Sequence, residues 1–64
     1  MPIRYTAKEL MDILKKDGWF LVRTKGSHYI FQHHIKKGIV PVPMHKGIVP
    51  MGTANSILKA AGLK

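Results

Sequence analysis

A chain of 64 residues holds one domain, spanning 1–64, and a domain this short buries only about 60% of the surface its unfolded chain exposes, so a stabilising partner is expected. It contains no cysteine, which excludes a disulfide framework and a thiolate metal site and fits a reducing cytoplasm. Eleven Lys and Arg face three acids, a formal net charge of +8, and those acids, Glu9, Asp12 and Asp17, all precede Gly18; the rest of the chain is an almost unopposed positive field whose natural partner is a polyanion, a description that a phosphate backbone, an anionic membrane surface and an acidic protein all fit.

The first residues, Met1 to Thr6, lead into a polar capping signal with no apolar run that reads as a signal peptide or membrane span, so a soluble cytoplasmic protein is expected. Thr6-Ala7-Lys8-Glu9 has the form of a capping box, in which the hydroxyl accepts from the Glu9 amide and the carboxylate from the Thr6 amide. A helix over about 7–16 follows, with Leu10, Met11, Ile13 and Leu14 on one stripe, Lys15 and Lys16 at its negative end, and Gly18 free to take the left-handed cap. Trp19 to Thr24 and His28 to His33 have strand composition, and Lys25-Gly26-Ser27 between them supplies a hairpin turn.

After a second break at His34 to Gly38, Ile39 to Met44 reads as a third strand. Its prolines, Pro41 and Pro43, cannot donate to a ladder, which assigns it to a sheet edge. Met51, Ala54, Ile57, Leu58 and Ala61 then recur at helical spacing behind Pro50, with Gly62 as cap and Leu63 folding back onto it. The pentapeptide Lys-Gly-Ile-Val-Pro occurs at 37–41 and 46–50, far too closely spaced for structural repeat units, and is read as coincidence or local duplication.

The order α-β-β-β-α predicts an α+β fold, a three-stranded antiparallel sheet with two helices on one face. A period of two puts Phe20, Val22, Tyr29, Phe31, Val40 and Val42 on the packed side and Arg23, Lys25, His28 and Gln32 on the other. That assignment leaves Trp19, Leu21 and Ile30 facing outward unless a bulge near the turn exchanges roles.

Gly18-Trp19, Arg23, Gly26-Ser27-His28, Phe31, Val42-Pro43-Met44-His45, Gly52-Thr53 and Ile57 to Gly62 together resemble, in content and order, the signature of the HicA toxin family. Pro41 and the small Ala54 depart from it. The resemblance implies a double-stranded-RNA-binding-domain-like fold, cleavage of messenger RNA, inhibition by a companion HicB-type antitoxin that blocks the active site, and a catalytic histidine, here His28.

The residues support the same choice. An imidazole titrates near about 6.5 in model peptides, so it can accept or donate a proton at cellular pH. If His28 removes the 2′-hydroxyl proton of a ribose, that oxygen attacks the adjacent phosphorus and expels the 5′-oxygen, leaving a cyclic phosphate without any metal. Arg23, Lys25 or the amides of the Gly26-Ser27 turn can stabilise the extra charge on phosphorus; the bland role of Gly26 is the hairpin turn itself. One histidine does not obviously serve as base and acid in the same step, so a second group or water is needed, and His45 is the candidate acid or substrate positioner, against the ordinary reading of an exposed loop histidine. Lys36 and Lys37 are candidate phosphate contacts, which a solvated turn explains equally well, and His33 and His34 read as hairpin-end residues.

Four histidines without a His-Glu-x-x-His pattern, a cysteine or a late carboxylate make a poor zinc site and a worse two-metal nuclease, so no metal or cofactor is expected. Ser27 lacks the oriented base of an acyl-transfer nucleophile. The competing reading from the same charge is a non-catalytic RNA-binding module; a third is an antitoxin-like or structural adaptor whose charge serves protein contact.

Overall fold

The computed structural model describes residues 4–64; Met1 to Ile3, read above as part of a lead with no signal peptide, lie outside the described residues. The elements in chain order are β1 (Tyr5–Thr6), α1 (Ala7–Lys16), β2 (Trp19–Lys25), β3 (His28–His33), β4 (Val40–Pro43), β5 (Ile48–Val49) and α2 (Met51–Ala60).

The capping box forms as the sequence predicts. The Glu9 amide donates to Thr6 Oγ1 at 3.1 Å and the Thr6 amide to Glu9 Oε1 at 2.9 Å, satisfying two amides that helix geometry leaves free. At the other end of α1, Gly18 takes φ +103°, and a Cβ there would stand 2.8 Å from His33 Nε2; only glycine both ends this helix and admits the ring. Helix α2 closes with Gly62 at φ +74°, and Leu63 N–H donates to Leu58 O at 2.8 Å while its side chain packs on the core, the expected fold-back.

Strands β2, β3 and β4 form one antiparallel sheet with β3 central. Met44 N–H donates to Ser27 O at 2.7 Å, so the even-numbered amides of this strand face β3 and the nitrogens of Pro41 and Pro43 fall on the free edge, where a missing donor costs no ladder bond. Both helices cover one face: Leu10 and Leu14 of α1 and Ala54, Ile57 and Leu58 of α2 share a single core with Trp19, Phe31, Val40 and Val42. The α-β-β-β-α architecture is therefore as expected, with one addition. Tyr5–Thr6 and Ile48–Val49 pair as a separate two-stranded sheet that ties the entry of α1 to the entry of α2.

The face assignment needs correction in β2. Residues directly opposite in an antiparallel ladder share a face, and the register pairs Trp19 with His33 and Leu21 with Phe31, then slips at Val22 so that Arg23 opposes Ile30 and Lys25 opposes His28. Trp19 is consequently buried, and Phe20 and Val22, expected in the core, are exposed. The cause is the extra residue of a bulge, which shifts the alternation for half the strand. Tyr29, Phe31, Val40 and Val42 pack as expected, and Arg23, Lys25, His28 and Gln32 lie on the outer face; there Ile30 is buried although it is no part of the main core.

The repeated pentapeptide is used the same way twice. Each copy places its glycine at positive φ (Gly38 +87°, Gly47 +76°), exposes its isoleucine and fully buries its valine, Val40 or Val49, as the chain turns into a strand. The left-handed glycine redirects the backbone and the valine anchors it.

Candidate functional site

The β2–β3 hairpin closes with the two-residue loop Gly26-Ser27, in which Gly26 adopts φ +58°, a first-position conformation that favours glycine in tight hairpins. Nothing lies within 4 Å of where a Gly26 Cβ would stand, so the loop faces open space. Immediately beyond it His28 is exposed on the outer face of the sheet, opposite Lys25 on one side and Pro43 on the other. Arg23 lies on the same face one register step further along. The turn therefore brings Arg23, Lys25, Gly26, Ser27 and His28 together.

A cleft of about 580 Å³ opens between the β4 edge and α2, lined by His28 and His45 together with Val40, Pro41, Pro43, Pro50, Thr53, Ser56, Ile57 and Ala60. The Met44–Ser27 hydrogen bond holds the chain entering His45 against the hairpin loop, which is how two histidines 17 positions apart come to share one cavity. Every residue of this lining comes from the segment that carries no carboxylate side chain, while all three acids sit on α1 or at its cap. Helix α2 adds to the positive potential, since its N-cap is Pro50, it has no side-chain cap and it carries no acid in its first turn.

Lys36 and Lys37 are placed elsewhere. They follow the far end of β3, about 17 Å of extended strand from His28 at roughly 3.3 Å per residue. Lys37 is exposed, but the Lys36 ammonium donates to the Asp17 carboxylate and, at 2.9 Å, to Ala61 O, linking the C-terminal ends of both helices. His33 completes this clasp. Its Nδ1 accepts from the amides of Ile35 at 3.0 Å and Lys36 at 3.2 Å, and its Nε2 donates to Asp17 O at 2.7 Å, a pattern that the neutral Nε2–H tautomer satisfies. Its ring meets Trp19 edge-on, with centroids 5.2 Å apart. His33 is thus a structural histidine, and His34 stacks obliquely on Phe20 at 4.8 Å.

The hydrogen bond from Lys36, outweighing partial desolvation, holds the Asp17 carboxyl below the usual carboxylate range, with the charge of the Lys36 ammonium acting in the same direction. The Trp19 indole N–H is buried without a partner at hydrogen-bond geometry among the described residues, so Lys36 is the dominant influence. A depressed pKa stabilises the fold above the unfolded-state value of 3.8, and that stabilisation disappears as pH falls through the lower folded-state value. Thermal melts followed between pH 2 and 6 are expected to show an acid-side loss of stability that Asp17→Asn diminishes; an unchanged acid limb in the variant would dissociate this pair from acid sensitivity.

Among the described residues no group of three or more His, Asp or Glu side chains is arranged to hold a metal ion, and no helix is long and apolar enough to cross a membrane. Thr53 enters the sequence reading only within the family resemblance and Ser56 carries no signal there; their positions in α2, three apart and beside Ile57 and Ala60, mark a second helix face next to the core stripe, but only the tertiary fold sets it opposite His28.

No individual curated protein matches the sequence. A family model, described as the HicA toxin of bacterial toxin-antitoxin systems, matches residues 7–63, nearly the whole chain and all of the elements that build the cleft; the chain belongs to the HicA toxin family.

Proposed function

We propose that this toxin is a metal-independent endoribonuclease that cuts messenger RNA in the cytoplasm and is restrained by a HicB-type antitoxin. The observation that carries the reading is the shared cleft: two exposed histidines line one cavity in the carboxylate-free, cationic part of the chain. His28 takes the ribose 2′-hydroxyl proton, the freed oxygen attacks the adjacent phosphorus, and His45 donates a proton to the departing 5′-oxygen, so that base and acid are separate groups. Arg23, Lys25 and the Gly26–Ser27 amides supply charge and donors to the phosphorane, and preorganised donors of this kind are worth most where water is partly excluded. Lys37 serves the more distant RNA backbone, with Lys36 contributing there only what its structural clasp leaves free. These contacts read phosphates rather than letters.

A net charge of +8 on so small a domain favours an acidic inhibitor, which gains electrostatic steering onto the same surface. The decisive assay is incubation of the purified toxin with a defined messenger RNA in excess EDTA. Cleavage at the rate seen without chelator is expected, and cleavage that appears only when a divalent ion is restored would overturn the metal-free route. Salt-sensitive RNA binding with no cutting under either condition would leave only a binding module.

A further inference from the structure

The cleft does more than bring two histidines together. Apart from its two histidines and the hydroxyls of Thr53 and Ser56 its lining is apolar, with Pro41 and Pro43 of β4 on one side and Ile57 and Ala60 of α2 on the other. A cavity of about 580 Å³ lies in the range of sites that enclose small organic ligands. Phosphates gain nothing from such walls, whereas the face of a heterocyclic base does. The hydroxyl proton of Ser56 is already committed, because Oγ donates to Gly52 O at 3.0 Å along the helix. What Ser56 offers the cleft is therefore lone pairs, an acceptor with no donor.

We infer that the cleft between β4 and α2 seats one nucleobase of the RNA, the base adjoining the scissile phosphodiester, between the β4 prolines and Ile57, with an exocyclic amino group donating to the Ser56 hydroxyl. This rests on the ribonuclease reading for the identity of the ligand, and it adds a base preference that the phosphate contacts lack. The occupant is singled out by the juxtaposition of two chemistries. The rim carries His28 and His45 with Lys46 next in chain, suited to a sugar-phosphate backbone, while the interior suits an uncharged planar ring. At the exocyclic position adenine and cytosine carry an amine and uracil a carbonyl, so with Ser56 set against that position the amine-bearing bases are favoured, and uracil has only its ring N3–H, one bond further in, to donate.

The test uses short single-stranded oligonucleotides with 2′-deoxyribose at the central position, which removes the nucleophile, and with adenine, cytosine or uracil as the central base. Affinities for the whole toxin are read by fluorescence anisotropy. Adenine and cytosine are expected to bind about two- to tenfold more tightly than uracil, the spread of one net hydrogen bond. Ser56→Ala is expected to level the three affinities, Ser56→Thr to keep the order, and Ala60→Leu to weaken all of them by filling the seat. Ser56 and Ala60 are exposed helix positions, so these variants are expected to melt like the parent, which circular dichroism checks. Equal affinities for the three bases, or a preference that survives both Ser56→Ala and Ala60→Leu, would overturn the seat. None of these oligonucleotides can be cut at the central position, so base discrimination by a protein that fails to cleave RNA would preserve the seat while removing the nuclease reading, and cleavage without discrimination would do the reverse.

Discussion

Replacing His28 by alanine is expected to lower RNA cleavage by about 10²- to 10⁴-fold, the usual contribution of a positioned proton-transfer group, while RNA affinity and its steep dependence on salt stay close to those of the parent. The separation follows from where the side chain sits. His28 is exposed at the end of a hairpin and contributes nothing to the buried core, so its removal leaves the fold in place, and the cations that neutralise phosphates are untouched. Single-turnover cleavage of a labelled RNA, measured beside equilibrium binding at two salt concentrations, reads both halves. Full activity in the variant would remove His28 from the chemistry; a parallel loss of binding and cleavage would make it a contact residue. His45→Ala is expected to lower cleavage within the same range, since protonating a departing alkoxide is a proton transfer of the same kind.

The second large effect is on stability. Phe31→Ala is expected to cost about 3–5 kcal/mol, a large share of what a domain of this length possesses at roughly 0.05–0.15 kcal/mol per residue. Phe31 is completely buried on the central strand, with Leu21 opposite it in β2 and Val40 opposite it in β4, and it meets both helices through the common core. No neighbour can collapse into the cavity without pulling the sheet from the helices. Circular dichroism is expected to show a broad or absent melting transition at 25 °C, and Phe31→Leu, which retains most of the volume, a cooperative one at lower temperature. A cooperative melt near the parental temperature for Phe31→Ala would mean that the core is organised around other residues.

The parts of this fold readable from the sequence are those decided within a few residues. Thr6 and Glu9 make a cap from groups three positions apart, Gly26 makes a turn, and Pro41 and Pro43 exclude a central strand because they lack donors; each acts through local chemistry. Alternation misplaces Trp19, Phe20 and Val22 because it assumes an unbroken ladder, and the bulge at Val22 is a property of the β2–β3 pairing rather than of β2 alone. The β1–β5 pair leaves no mark in the sequence for a related reason. Two-residue strands carry no periodicity, and Tyr5 meets Val49 only after the rest of the chain has folded between them.

The site divides along the same line. Gly26-Ser27-His28 is contiguous and its resemblance to the family signature could be read directly, and the outer-face positions of Arg23, Lys25 and His28 followed from alternation because all three lie on the turn side of the bulge. That His45, Thr53 and Ser56 line a cavity with His28 depends on α2 lying beside the β4 edge, which no local pattern specifies. Lys36 illustrates the converse. As a lysine in a polar turn it reads as solvent-facing, yet its ammonium joins Asp17 to Ala61, an arrangement set by two helix ends meeting at the far end of the sheet.

If His28 acts on the ribose hydroxyl, the ends of the cut RNA record it. Cleavage of a single defined RNA in EDTA, with the termini of both fragments identified by mass spectrometry, is expected to give a 2′,3′-cyclic phosphate on the upstream fragment and a 5′-hydroxyl on the downstream one. A 3′-hydroxyl paired with a 5′-phosphate would mean that water, not the sugar, attacked the phosphorus, and would contradict the account.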